Sequence, residues 1–579
     1  MADTTNGQPP PNPGQKKKEL PMELRLLLAL VLTGLVLFVT PYFYKGAQSP
    51  LKKNAPAAGS AKTPAVNDAA APAAAQPTAE APAAPGSVPP ISGQKEETRV
   101  VDTDLFHITF TNKGAVVRNW QLKKFTAHAG APLELVNTTA HTDLPFALYF
   151  PEQKPSTDLN QALWDVKTTA DGLGVTFDFS DGNTVAHKEF HFQKKSYLSS
   201  ISADVTAGGK PIPSLLEWRG GFGDLAVPNP SGVMQTLRYD LADGKLVKTA
   251  AKAAKDGPVV VKESVSFVGI EDQYFVAAFL PDLGGTVQMA TFSDSARTPL
   301  EAKEAPFAGV GAGSGPPAHF ALYVGPKDID TLRAVNPKLE QVVDFGWFGF
   351  LAKPLFLVVN WVTDHAIHNY GWSIIVVTIA LNFALFPLKL TSMKSMKKMQ
   401  ALQPQIAAIN EKYKNIGMRD PKKAEQNQEV MDLYKKHGVN PMGGCVPMLL
   451  QIPFFIAFYK VFSVSVEMRG AHWLWVTDLS QPETLPIHIL PIVMIVSQFL
   501  MQKMTPTTPG GDPNQQRMMM FMPLIFGFMF YNFSSGLVLY YLTSNLVGIA
   551  QQWFFNRTSI AAVAAQSVQP PPKKKIGRK

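Results

Sequence analysis

Polar side chains recur at helical spacing inside runs that are otherwise apolar, and they are the residues here best placed to do chemistry. Thr378 and Asn382 stand one turn apart, and Lys389 follows two turns beyond Asn382, roughly 10 Å along a helix. Tyr541, Asn545, Gly548 and Gln552 make a second stripe, and Gln451 and Gln498 add two amides. Polar groups in such apolar surroundings either pair between helices or line a wet cavity. For any one of them, pairing between helices is at least as good an account. Together they favour a partly hydrated groove. Lys460, two-thirds of the way along its apolar run, is expected to snorkel towards Glu467 and the interface.

The groups that bond-making catalysis needs do not accompany them. No Gly-x-x-x-x-Gly-Lys run is present to cradle a phosphate. Gly311, Gly313 and Gly315 run into Pro316 and Pro317 rather than a helix, which marks a turn. His365, His368, His472 and His488 fall at the outer edges of apolar runs, so no serine–histidine dyad is credible within a membrane, and no aspartate pair is there. Neither a metal nor a cofactor is expected. Cys445 is the single cysteine, which excludes an internal disulfide; after Gly443 and Gly444 it reads as a small packing residue.

The elements that must position these residues divide the chain in two. Hydrophobic residues make up 46% of 579, charged ones 17%, and the formal charge is +9, but a polar first part conceals a very apolar remainder. After a cytoplasmic N-terminus (1–25), the uncharged run 26–44 is 19 residues long and closes on Pro41-Tyr42-Phe43-Tyr44. It nearly crosses a hydrocarbon core of about 30 Å and reads as an uncleaved signal anchor. Residues 45–95 are Ala/Pro-rich and cannot bury a core, so they form a tether. Residues 96–330 alternate with period two, as in Leu105-Phe106-His107-Ile108-Thr109-Phe110, between turn signals such as Asp181-Gly182-Asn183. That predicts a large antiparallel all-β sandwich on the outer side.

Five further spans are expected at 372–388, 446–466, 487–501, 518–533 and 537–555, giving a six-span α-helical membrane protein. Residues 341–368 are apolar and aromatic, yet a span there would put the wrong loops outside. The stretch from Lys389 to Lys436 carries eleven Lys/Arg against five Asp/Glu, and the tail 556–579 is basic. Positive charge stays inside, so both are cytoplasmic and 341–368 lies in the outer interface as an amphipathic helix. The basic segment 389–440 reads as a helical hairpin turning near Gly417. Met393, Met396 and Met399 line one of its faces, and sixteen of the 20 methionines fall between 393 and 529. Flexible thioethers suit a surface that captures varied apolar partners, although any one methionine is as readily a gap-filler. The basic charges are complementary to anionic lipid or to ribosomal RNA.

Asn440-Pro441-Met442-Gly443-Gly444-Cys445-Val446-Pro447, continuing to Gln451-Ile452-Pro453-Phe454, resembles the signature of the YidC/Oxa/Alb membrane protein insertases. Gln502-Lys503-Met504-Thr505-Pro506 and Phe533-Ser534-Ser535-Gly536-Leu537-Val538-Leu539-Tyr540-Tyr541 resemble two further blocks of that family. The match covers about 341–555, and the first helix with its β-domain resembles the Gram-negative bacterial form. The resemblance implies a periplasmic β-supersandwich, a five-helix insertase core in the inner membrane, and a groove open to cytoplasm and lipid. It implies nascent membrane proteins as substrates, handled alone or with Sec translocon components, and a tail that can touch the ribosome. Thr378 and Tyr541 match groove positions that meet substrate, and the 389–440 hairpin matches the capture region. The family usually has a basic residue, most often Arg, where this chain has Asn382. Hydration and hydrogen bonding are therefore expected to suffice there, with Lys389 near enough to reach back. A solute permease would instead show an inverted repeat and broken helices around a midplane site, which five core spans do not suggest.

Overall fold

The computed structural model describes residues 89–127, 130–138, 140, 142–227, 229–282, 285–297, 304–414, 420, 422–439, 446–505 and 513–567. The signal anchor expected at 26–44, most of the 45–95 tether, the motif residues 440–445, Gly417 and the end of the basic tail lie outside the described residues. Alternation makes the first half a β structure. In the strand Leu198–Ala207 every second side chain is buried, as it must be when a pleated strand turns one face to a core. Four strands between Thr98 and Glu134 pair in chain order as one antiparallel sheet. A 14-stranded sheet takes the rest. Its long strand Val259–Glu271 carries the bend: residues 259–264 pair with Thr286–Ala296, and residues 268–271 with Phe275–Pro281.

Between the sheets lie Phe106, Trp120, Phe146, Trp164, Phe177 and Trp218, all fully buried. Each such side chain contributes roughly 2–3 kcal/mol by leaving water. Lys188 is also fully buried there. Its ammonium donates to the carbonyls of Gly114 (3.0 Å), Ala115 (3.1 Å) and Phe146 (2.8 Å), which sequence periodicity alone would have left to an apolar residue.

The β-domain ends in helix α1 (Ile329–Val335), capped by Asp328 accepting from Thr331 N. Then come α2 (Gly349–Val362), α3 (Tyr370–Ala384), α4 (Phe386–Ala401), α5 (Gln403–Lys412), α6 (Lys422–Lys436), α7 (Val446–Val464), α8 (Ile489–Met504), α9 (Pro513–Phe530) and α10 (Ser535–Ser567). Pro404–Gly438 belongs to a separate compact unit. Within it Lys412 Nζ and Tyr413 Oη both donate to Glu429 Oε1, and Gln426 Nε2 donates to Asn410 Oδ1, which pins α5 to α6.

Among the described residues no single helix is long and apolar enough to cross a membrane. Gly349–Ile367 and Tyr370–Ala384 pass that test as a pair but are bent by 117°, and three shorter apolar helices lie at Leu449–Val464, Ile489–Met504 and Met520–Phe530. Helix α10 has the length, but Thr543, Ser544, Asn545, Gln551 and Gln552, all buried, dilute its hydropathy. Helix α2 leaves Trp361 and the nearby Trp347 and Phe350 largely exposed.

A loop after α7 ties the helical part to the β-domain. Arg469 donates to Asp224 Oδ2 from Nε (3.1 Å) and Nη2 (2.5 Å), Val466 is buried in the β-domain core, and Gln273 Nε2 donates to Ser463 O. Gly223, at φ +84°, is needed beside this pair, because a side chain there would strike the Asp272 carboxylate. Lys460 departs from expectation. No ion pair joins it to Glu467, which accepts from Ser465 Oγ; its ε-carbon instead lies 3.2 Å from where a Gly346 side chain would begin. The glycine at 346 gives the long Lys460 stem an apolar wall to lie along.

The buried acid Glu217 makes stability pH-dependent. Its Oε2 has no hydrogen-bond partner, and burial pushes its carboxyl up to about 8, against the opposing pull of Arg219, whose Nη1 is 3.9 Å away. A raised folded value means the group's contribution is complete below its unfolded pKa, near 4.3, and is lost as pH climbs through 8. Glu217→Gln should therefore match the parent at pH 4–5 and exceed it at pH 8–9, the gap widening by up to about 1.4 kcal/mol per pH unit. Thermal unfolding of the full chain followed at the β-domain tryptophans checks this; parallel curves for the two proteins across that window would refute it.

Candidate functional site

Helix α3 starts at Asn369, whose side chain accepts from Trp372 N, and buries Ser373, Ile374, Val377, Thr378 and Asn382. That spacing of three and four residues is one helical face, and it packs on α10. Asn382 is bonded on every side. Its Nδ2 donates to Thr378 O (2.8 Å) and to Ser544 Oγ of α10 (3.2 Å). Its backbone carbonyl accepts from Gln551 Nε2 of α10 (3.2 Å), and its Oδ1 accepts from Lys389 Nζ (2.7 Å). The lysine can reach because α4 follows α3 after one residue, with Lys389 N still bonded to Leu385 O. The position that carries no charge in the sequence thus has an ammonium resting on it.

Two polar atoms in this group have no hydrogen-bond partner: Thr378 Oγ1, on a residue with no exposed surface, and Gln551 Oε1, on a residue 6% exposed. An unmet buried polar group costs about 1–3 kcal/mol. Beside them, α3 and α10 frame an apolar crevice of about 440 Å³ lined by Ile375, Ile379, Leu539, Leu542, Leu546 and Trp473, among others.

The other predicted groove residues sit elsewhere around α10. Asn545 Nδ2 donates to Ser497 Oγ of α8 (3.1 Å), and Ser497 Oγ donates to Met494 O. Gly548 lies against Met501, where a β-carbon would come within 2.9 Å of the methionine methyl. Gln552 Nε2 donates to Asn556 Oδ1, while Gln498 Oε1 on α8 is buried without a partner. Gln451 Nε2 of α7 donates to Tyr540 Oη (2.8 Å), a ring stacked 4.1 Å from Phe458. Tyr541 is half-buried, with Phe530 at 4.9 Å and Phe455 at 6.4 Å between ring centres. Of the methionine stripe, Met393 and Met399 are buried and Met396 is half-buried. Sequence reasoning passed over Tyr540, Ser544 and Gln551. They share a face at spacings of four and seven, and that periodicity was there to be found.

Residues 98–358 match the family described as the YidC periplasmic domain, and residues 361–562 match the 60Kd inner membrane protein family. A membrane protein insertase YidC of Geobacter sp. (strain M21) is 35% identical over 79% of this chain and 85% of its own. That of Geotalea daltonii is 33% identical over 93% of this chain and 99% of its own. The chain belongs to the YidC membrane protein insertase family. The YidC insertase of Syntrophus aciditrophicus matches likewise, at 33% identity over 93% of this chain and 100% of its own. A solved crystal structure of an active YidC insertase with its first transmembrane domain resolved covers 80% of this chain and 93% of that one, at 19% identity and a TM-score of 0.35. Within this YidC-family chain, the β-sheet part is the periplasmic domain, and the cluster on α3 and α10 lies in the segment matched to the 60Kd family.

The two sides of α10 should respond differently to mutation. Asn545→Ala removes one bond between α8 and α10, which is worth about 0.6 kcal/mol and at most about 1.7 kcal/mol in membrane helices. A thermal melt in detergent should fall by a few degrees while insertion of a reporter protein continues. Loss of insertion with an unaltered melt would move Asn545 from packing to substrate contact.

Proposed function

We propose that this protein inserts nascent proteins into the inner membrane, acting also as a folding chaperone for them, with the polar group on α3 and α10 as the point where a polar part of the substrate is received. The observation that carries this reading is the pair of unmet buried atoms, Thr378 Oγ1 and Gln551 Oε1, beside an apolar crevice between the same two helices. In a resting protein such atoms raise the free energy; water or a substrate's polar group entering between α3 and α10 lowers it. The apolar crevice next to them suits the substrate's hydrophobic helix as it leaves for lipid.

The energetics fit a passive device. A charged residue at the centre of a membrane helix costs about 2.5–3.5 kcal/mol, whereas each Leu, Ile, Phe or Val contributes about −0.3 to −0.6 kcal/mol. A substrate helix of some twenty apolar residues supplies the driving force, and the protein has only to lower the barrier for its polar flank. Helix α8 has 16 residues and a rise of about 24 Å, less than a hydrocarbon core of about 30 Å. Such mismatch thins the bilayer locally and shortens the barrier further. No bond is made or broken, so we assign no enzymatic activity.

The proposal extends to topology and partners. Six spans, with both termini cytoplasmic and the β-domain periplasmic, keep the Lys-rich segments inside. The Met393, Met396 and Met399 face would receive apolar segments when α4 loosens. The basic tail and hairpin would meet the ribosome and anionic lipid, and Sec translocon components would share some substrates.

Photo-crosslinking from Thr378 and Tyr541 to ribosome-bound nascent chains tests the reading. Crosslinks that appear over a limited window of chain length at both positions are expected. Their absence, while an established insertase run in parallel captures the same chains, would reject the proposed site.

A further inference from the structure

The loop between α7 and α8 meets the β-domain on one side and the ends of three helices on the other. Val466 is buried in the core between the sheets, and Met468, two residues on, in the core that contains the helices. Arg469 pairs with Asp224 of the β-domain, the two side chains being only 9% and 7% exposed, and its guanidinium lies 5.7 Å from the centre of the Phe275 ring. Asp224 is itself fixed. Its Oδ1 accepts from Ala226 N (3.0 Å), and its backbone N–H donates to Asp272 Oδ2 (2.6 Å), while Asp272 Oδ1 accepts from Tyr274 N and Phe275 N. The loop is folded on itself: Leu479 N donates to Ala471 O, and Trp473 and Val476 exchange both of their backbone bonds. Onto it come the helix ends. Ser535 N and Gly536 N, at the start of α10, donate to the carbonyls of Gln481 and Leu479, both at 2.8 Å. Asn369, which caps α3, donates from Nδ2 to His472 O (3.1 Å), and a β-carbon on Gly371 would strike the Trp473 ring. Leu490 N of α8 donates to Glu483 Oε2 (2.9 Å), and Glu483 Oε1 accepts from Trp475 Nε1 (2.6 Å).

Further along the same helices the links are bonds between neutral side chains, Asn382 with Ser544 and Asn545 with Ser497. Such bonds are weak between membrane helices. A buried ion pair behaves differently, because removing one partner leaves an uncompensated charge out of water. We propose that Arg469 is a positioning residue for insertion: its pair with Asp224 makes the periplasmic domain the anchor of loop 465–483, which keeps the adjoining ends of α3, α8 and α10 together when α3 and α10 part at their other ends. The groove then opens towards one side of the membrane only. The lock rests on the contacts of the loop; its use in insertion rests on the insertase reading.

The test uses the full chain in right-side-out membrane vesicles, with Cys445 replaced by serine and a single cysteine introduced at one of two buried positions. One is Val538, in the first turn of α10 and 1% exposed; the other is Ala308, in the β-domain core and 0% exposed. A membrane-impermeant maleimide should leave both cysteines unmodified in the parent. Arg469→Gln should raise modification at 538 by about tenfold or more and leave 308 unmodified. Arg469→Lys, which keeps the charge, should largely restore protection, and Asp224→Asn, a milder change, should give an intermediate rate. Unchanged protection at 538 in both Arg469→Gln and Asp224→Asn would show that the pair only attaches the β-domain. Modification at 308 as well would show that it supports the whole fold. Either result overturns the proposal. Insertion of a reporter protein should fall with Arg469→Gln and recover with Arg469→Lys; parent-like insertion by a variant open at 538 would also overturn it. Failure of the parent itself to insert the reporter would sink the insertase reading, while modification at 538 would still report on the lock.

Discussion

A polar side chain between membrane helices must find another polar group or water, and α10 is where this chain meets that requirement. Gln451, Asn382 and Ser497 come from three different helices, and each has a partner on α10: Tyr540, Ser544 and Asn545 respectively. The helix therefore cannot be uniformly apolar, and although 537–555 reads as a span in the sequence, the polar side chains that meet this requirement lower its hydropathy. Its neighbours, free of acids, are held to it by neutral amides and hydroxyls rather than by ion pairs. Bonds of that kind are worth little each, so helices joined by them can separate without a large penalty.

The two sides of α10 are consequently unequal. Towards α8, Asn545 bonds Ser497 and Gly548 packs against Met501, with one buried amide oxygen, Gln498 Oε1 on α8, left without a partner. Towards α3 the network around Asn382 leaves two buried atoms unmet and carries the Lys389 ammonium, which has no counter-ion among the described residues. The β-domain, joined through Arg469–Asp224 and through Val466 in its own core, fixes the loop that follows α7.

Much of this was legible before any coordinates. Period-two alternation located the β-domain strands, and the motifs around Gln451 and Tyr540 pointed to the family before the comparisons established it. Other features were not legible, for a common reason. Periodicity tells which residues share a face but not which helix that face meets. Thr378, Asn382, Asn545 and Gln552 read as one groove, yet α10 presents Asn545 and Gln552 away from the Asn382 group. Lys188 and the Arg469–Asp224 pair depend on contacts across 73 and 245 residues, for which no local pattern exists. Lys460 is not ion-paired to Glu467 and its stem lies beside Gly346, a residue that advertises no interaction.

The central claim is that α10 opens towards α3 and stays closed towards α8. Single cysteines at 551 and at 545, introduced after replacing Cys445 with serine, would be exposed to a membrane-impermeant thiol reagent in inverted vesicles, with and without a stalled nascent chain. The account predicts that position 551 is modified in the free protein and protected by the nascent chain, while position 545 stays unreactive in both. Equal reactivity at the two positions, or none at 551, would contradict it.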